Sequence, residues 1–267
     1  MPRLSRLCLA TDLEETAAIL SGRGWPVVLV HGMGLNLNMW QGQLAPLEAE
    51  FTVVRYDLLG HGDSAARPGA YVMADFVTQL SQLLDHRGID RCHLVGFSLG
   101  GLIVQAFTLA HPRRIDRLAV LNAGFDRGEE ERAGMLARLR IAEEQGHGAT
   151  VETALVRWFT PDFAAERPDV IEQVRAWMHA NDPDVYPEIY RVLAFGDREL
   201  SVKVSAIRSP TLVLTCQYDS GSPPDMAEAM ARAIPNAQLA VAPGLKHMGL
   251  LEDPGAINKI LLPFLTG

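Results

Sequence analysis

Hydrophobic positions along the chain follow two rhythms. Short runs rich in β-branched and aliphatic residues recur at 27–30, 51–56, 93–95, 118–121, 211–215 and 238–241. Continuous apolarity over so few residues predicts strands covered on both faces. Between them, residues 39–49, 71–86, 99–110, 224–233 and 256–265 repeat apolar positions every three or four residues, the spacing of a helix with one buried face. Strand and helix alternate, which predicts a mostly parallel sheet wrapped by helices, with a ligand site beyond the carboxyl ends of the strands. Near the start, alternating runs at 3–10 and 16–21 flank the polar Thr11-Asp12-Leu13-Glu14-Glu15 and predict an antiparallel hairpin. The expected sheet then has eight strands.

The alternation breaks between residues 126 and 204. Helical patterns at 129–145, 150–159, 169–179 and 186–200 are separated by Gly146-His147-Gly148, Thr160-Pro161-Asp162 and Asn181-Asp182-Pro183, all turn signals. The expectation is a helical insertion after the sixth strand, lying over the strand ends as a cap. It divides the chain into an α/β core of residues 1–125 and 205–267 and a cap subdomain of residues 126–204.

Composition narrows the function classes. At 267 residues and 48% hydrophobic, the chain can build one large core with an inserted subdomain. A formal net charge of -8 argues against a broad basic surface for nucleic acid, so any anionic ligand must find local Arg or Lys. Cys8, Cys92 and Cys216 are scattered without a metal-binding spacing and read as thiols of a reducing compartment. No apolar stretch reaches the ~18 residues of a membrane span, and the first residues lack the charged start, apolar run and small-residue cleavage site of a signal peptide. The expectation is a soluble cytoplasmic protein with no membrane partner.

Candidate chemistry sits at the ends of the predicted strands. Gly96-Phe97-Ser98-Leu99-Gly100 follows one strand and opens the next helix. Serine is a common N-cap, but a serine at a sharp strand-to-helix turn, with glycines two before and two after it, lifts its hydroxyl clear of the sheet as a nucleophile. It also sits at a helix N-terminus, where free N–H groups favour developing negative charge. His31-Gly32-Met33-Gly34 follows the strand at 27–30, and its backbone turn lets the Met33 amide pair with that of Leu99 as an oxyanion hole. His31 reads as ordering that loop by hydrogen bonding rather than as an acid or base.

His31-Gly32-Met33-Gly34, Asp57-Leu58-Leu59-Gly60-His61-Gly62-Asp63-Ser64 and Gly96-Phe97-Ser98-Leu99-Gly100-Gly101 together resemble the α/β-hydrolase family over nearly the whole chain. The resemblance implies the order nucleophile, acid, base. Of eight histidines, His247, in Lys246-His247-Met248-Gly249 between the last strand and the final helix, fits that order as base. For the acid, the loop Cys216-Gln217-Tyr218-Asp219-Ser220-Gly221-Ser222-Pro223 resembles the family's acid loop and points to Asp219, although Cys216 stands where relatives usually carry glycine. Asp126 is the rival, because some relatives place the acid after the preceding strand; an Asp opening the insertion also reads as a helix N-cap. Asp57 and Asp63 read as loop hydrogen-bonding groups.

A serine at position 98 disfavours the dehalogenase branch, which uses a carboxylate there. Arg157-Trp158-Phe159-Thr160-Pro161-Asp162-Phe163, Asn181-Asp182-Pro183 and Val53-Val54-Arg55-Tyr56-Asp57 resemble the 3-oxoadipate enol-lactonase and carboxylesterase-like group. That implies hydrolysis of a small ester or lactone, with a substrate carboxylate as one option, through an acyl-enzyme. No cofactor or metal is expected. Carbon–carbon or amide hydrolysis, and slow-turnover sensing of a small molecule, stay open on the same residues. Trp158, Arg157, Trp40 and Met248 are candidate substrate-binding residues by chain adjacency; core packing explains the tryptophans and Met248 equally well.

Overall fold

The computed structural model describes residues 16–267. In chain order its elements are β1 (Ala18–Gly22), β2 (Trp25–Val30), α1 (Gln41–Glu48), β3 (Phe51–Tyr56), α2 (Met73–His86), β4 (Cys92–Phe97), α3 (Leu99–Ala110), β5 (Ile115–Leu121), α4 (Glu129–Gln145), α5 (Val151–Trp158), α6 (Pro161–Glu166), α7 (Pro168–His179), α8 (Tyr186–Ser201), β6 (Thr211–Cys216), α9 (Pro224–Ala233), β7 (Ala237–Ala242), α10 (Gly249–Glu252) and α11 (Pro254–Thr266). Among the described residues the strands form a seven-stranded sheet in the order β1-β3-β2-β4-β5-β6-β7, parallel except where β1 runs antiparallel to β3. The run at 16–21 corresponds to β1. Its expected hairpin partner at 3–10, the eighth strand, lies outside the described residues.

The apolar runs are continuous because both sheet faces are covered. Successive side chains on a strand point to opposite faces. Accordingly Val27 and Leu29 of β2 enter one apolar cluster and Val28 and Val30 the other; β6 divides Leu212 and Leu214 from Val213 in the same way. The first cluster is closed by Leu47 of α1 and Ile257 and Leu261 of α11, the second by Phe76 and Leu80 of α2 and Ile103 and Phe107 of α3. Each such side chain fully buried stabilises the fold by roughly 1.5–3 kcal/mol. At β7 the expectation of two-sided cover fails: it is the edge strand, and Leu239 and Val241 remain 40% and 38% exposed.

Five helices, α4 to α8, fill the interval between β5 and β6. Four match the expected patterns, and the fifth, α6, begins where a turn is expected. Thr160 caps it by accepting from the Phe163 N–H at 3.4 Å, and Pro161 takes the first helical position, where its missing N–H costs nothing. The inserted helices join both clusters: Leu155 of α5 and Val174 of α7 pack on the α1/α11 side, Ile189 and Leu193 of α8 on the other. They are also pinned at their base. Asp197 of α8, fully buried, accepts from Arg132 at 3.1 Å and from the Arg127 backbone N–H at 2.8 Å. Among the described residues no helix is long and apolar enough to cross a membrane.

Candidate active site

The turn between β4 and α3 places Ser98 at φ 55°, ψ −113°, a region that side chains rarely adopt. Its flanking glycines are obligatory for close approach rather than for dihedral freedom. A Cβ on Gly96 would lie 2.3 Å from the Gly100 carbonyl oxygen, and one on Gly100 would lie 2.2 Å from that of Val30. The helix can therefore start directly against the sheet, with Ser98 above its first turn. Such backbone strain is tolerated where the surrounding structure over-determines it.

Asp219, in the loop after β6, is buried and its carboxylate is saturated with donors. Oδ2 accepts from the Ser222 hydroxyl at 2.7 Å and from Asn122 Nδ2 at 2.9 Å, and lies 2.7 Å from His247 Nδ1; Oδ1 accepts from the Gly221 N–H at 2.8 Å and the Ser222 N–H at 3.2 Å. Burial alone would raise the Asp219 pKa. The facing His247 and the hydrogen bonds from Asn122 and Ser222 outweigh it and hold the carboxyl well below its usual range. An ionised acceptor on Nδ1 fixes the proton there and leaves Nε2 of a neutral His247 unprotonated. The ring is held between Phe97 and Trp158, at centroid distances of 4.9 and 5.7 Å.

The rival acid lies elsewhere. Asp126 is exposed, has φ 46°, and is not among the residues lining the cavity described below. Nor is it the cap of α4, whose N-cap is Gly128. The glycine-to-cysteine departure at position 216 is matched across the loop: a Cβ on Gly249 would sit 2.5 Å from the Cys216 sulfur, so the thiol occupies space that Gly249 leaves open.

Ser98, Asp219, His247 and Met33 line one cavity of about 230 Å3 together with Arg157, Trp158, Arg138, Tyr186 and Tyr190. Met33 lines the cavity with Ser98, and the Leu99 N–H belongs to the first turn of α3, where backbone donors have no intrahelical acceptor. The loop carrying Met33 is held by buried neutral imidazoles. His31 Nδ1 donates to the Gly32 carbonyl at 2.8 Å and its Nε2 accepts from the Leu58 N–H at 2.9 Å, while His61 Nε2 accepts from the Gly34 N–H at 3.0 Å. Burial lowers both pKa values, that of His61 to about 4. From the insertion, Asn181 Nδ2 donates to the Gly34 carbonyl at 3.1 Å. Asp57 accepts from the Leu37 and Asp63 N–H groups at 2.7 and 2.9 Å, and burial pushes its pKa up to about 6.

Two candidate substrate-binding residues are not brought to the cavity. Trp40 and Met248 are fully buried in the apolar cluster on the α1/α11 side of the sheet, where their size fills core rather than pocket. Met248 contributes through its backbone, donating to the Trp158 carbonyl at 3.0 Å. That bond is part of a strap between the His247 loop and the end of α5. Lys246 Nζ donates to the Val156 carbonyl at 2.8 Å, and Glu252 accepts from the Thr160 N–H with one oxygen and from the Lys246 N–H at 3.1 Å with the other. Sequence reasoning missed Asn122, Ser222 and Glu252. For Asn122 a signal existed: a polar residue directly after β5, at the carboxyl edge of the sheet where the site forms.

Residues 26–254 match the family model described as alpha/beta hydrolase fold. The chain belongs to the alpha/beta hydrolase fold family. It is 30% identical over 244 residues, 91% of each chain, to an (E)-2-((N-methylformamido)methylene)succinate hydrolase of Acinetobacter baylyi. To a 3-oxoadipate enol-lactonase of the same organism it is 29% identical, covering 87% of this chain and 85% of the relative. Among solved structures, the enol-lactonase from Burkholderia xenovorans superposes with a TM-score of 0.90 at 29% identity, over 97% of this chain and 99% of that one.

Proposed function

We propose that this hydrolase cleaves a small carboxylic ester or lactone through an acyl-enzyme formed on Ser98. The observation that carries the reading is the 2.7 Å contact between Asp219 and His247 at a cavity also lined by the strained Ser98. His247 Nε2 takes the Ser98 proton as Oγ attacks the carbonyl carbon, and the Met33 and Leu99 amides hold the oxyanion. Collapse breaks the ester C–O bond, with His247 passing its proton to the leaving oxygen. Water then gives a proton to His247, attacks the acyl carbon and releases the acid with Ser98 restored. Asp219 keeps the imidazole in the productive tautomer and stabilises the imidazolium.

The inserted helices serve as a cap that restricts the substrate to the small cavity. Enol-lactonases among the relatives and structural neighbours support the ester and lactone class. Amide cleavage is the second reading, favoured by the Acinetobacter relative whose name carries a formamido group. A panel of lactones, aryl esters, amides and diketones, with fluorophosphonate labelling of wild type and Ser98→Ala, tests the proposal. Lactone or ester turnover with labelling lost in the variant supports it; labelling retained at the same stoichiometry contradicts it.

A further inference from the structure

The loop that carries Met33 is a tight turn. The Leu35 N–H donates to the Gly32 carbonyl at 3.3 Å, and Gly34 takes the third position at φ 74°, where glycine is unstrained. Both polar groups of Gly34 are held from outside the turn: the N–H donates to His61 Nε2 of the core at 3.0 Å, and the carbonyl accepts from Asn181 Nδ2 of the insertion at 3.1 Å. The Asn181 amide faces three carbonyl oxygens, those of Gly34, Trp177 and Met178, at 3.1, 3.0 and 3.0 Å, so the donor end of the amide belongs there. Trp177 and Met178 lie in the last turn of α7, where carbonyls run out of intrahelical donors. One group therefore closes α7 and also reaches 147 residues back along the chain to the Met33 turn. The insertion packs on the same spot, for a Cβ on Gly34 would lie 3.4 Å from the Tyr186 ring and 3.8 Å from Met178 Cγ. Asn181 is buried and is not among the residues lining the cavity, so its part in the reaction passes through the loop.

We propose that Asn181 is a positioning residue for the oxyanion hole: by holding the Gly34 carbonyl it fixes the turn that presents the Met33 amide, and the hole is complete only while the insertion is seated on that turn. This rests on the Ser98 reading for the reaction and adds a residue to it. Oxyanion stabilisation depends on donors that are in place before the charge develops, and a misplacement of about 1 Å costs about a hundredfold in rate. Without Asn181 a buried carbonyl loses its donor, and the turn recovers a partner only by rotating towards water. The lining side chains of the insertion can vary with the substrate while Asn181 keeps the reaction geometry.

Two variants separate this role from the closing of α7. Asn181→Ala removes both. Asn181→Ser keeps a hydroxyl that can bond the carbonyls three and four residues back but is too short to reach Gly34. Both should lower kcat for 4-nitrophenyl acetate by about tenfold to a hundredfold with KM within about twofold, and Asn181→Ser should hold the wild-type thermal midpoint. A matched pair of inhibitors gives the second readout. Ser98 Oγ adds to the carbonyl carbon of a trifluoromethyl ketone, its proton passing to His247 and the ketone oxygen becoming an oxyanion, whereas the methyl ketone of the same skeleton stays trigonal. The ratio of the two affinities should fall in both variants by about the same factor as kcat. Amide hydrogen exchange, the third readout, involves no chemistry at Ser98: amides of residues 33–35 should exchange about tenfold faster in either variant, with those of β4 and α3 unchanged. Failure of the nucleophile reading shows separately, as a trifluoromethyl preference that persists in Ser98→Ala. Wild-type kcat in Asn181→Ser, an inhibitor ratio that stays constant while kcat falls, or unchanged exchange at 33–35 would each overturn the proposal and leave Asn181 as the closing residue of α7.

Discussion

The two walls of the cavity are built on different principles. On the sheet side, Ser98, His247, Asp219 and Met33 are set by backbone geometry: glycines that admit helix against strand, a buried carboxylate with every lone pair used, and a loop held by neutral imidazoles. On the side of the inserted helices, Arg138, Arg157, Trp158 and Tyr190 are long, half-buried side chains with few fixed partners. A wall of the first kind suits one reaction geometry. A wall of the second kind can be re-cut for another substrate without disturbing the first, which is how one fold comes to host many specificities.

The largest effect that sharpens this comparison is expected at the acid. Asp219→Asn keeps the shape but favours the wrong imidazole tautomer, and kcat should fall by about ten-thousandfold. Asp126→Asn, at an exposed position away from the cavity, should leave steady-state turnover at wild-type level; a reversed order would move the acid to the start of the insertion.

Acid should loosen the sheet-side wall next. His61 is held at about 4 in the fold, below its ordinary 6.5, so between those values the folded state binds fewer protons than the unfolded one. Stability is therefore lost as pH falls from 6.5 towards 4, by about 3 kcal/mol for this residue, and His31 and His93 act in the same direction. Asp57, pushed up to about 6, works the opposite way and offsets part of the loss. Denaturant midpoints should fall between about pH 7 and 4.5, with a shallower slope in His61→Gln. A flat profile in wild type would contradict the buried-imidazole account.

Smaller losses are expected where the walls meet or where the acid is steadied. Asn122→Leu removes one donor from Asp219 and should lower kcat by about tenfold, with KM little changed. Glu252→Gln places an amide donor against one of two N–H groups in the strap, and should lower kcat by about tenfold through the His247 loop. If Glu252→Gln alters KM alone, the strap shapes the pocket rather than the base.

Much of the sheet-side wall was legible because its signals are local. A glycine-flanked serine between an apolar run and a helical pattern predicts its own turn, and His247 and Asp219 each follow a strand that the apolar pattern marks. The insertion was legible as helices but not as a surface. Helical periodicity says which residues avoid water, not which of those meet a pocket, so Trp40 and Met248 were expected at a cavity from which the core had already taken them. Arg138 and Tyr190 lie 52 residues apart in sequence and come together only when α4 packs on α8. Thr160-Pro161-Asp162 reads as a turn and starts a helix, because turn and N-cap draw on the same residue types.

The central claim is a covalent intermediate on Ser98. Acid-quenching the enzyme during turnover of a 4-nitrophenyl ester and mapping peptides by mass spectrometry tests it most directly. The expected result is an acyl adduct on the peptide containing Ser98, absent in Ser98→Ala together with the burst of nitrophenol. Undiminished turnover in Ser98→Ala, or an adduct on another residue with Ser98 unmodified, would contradict the account.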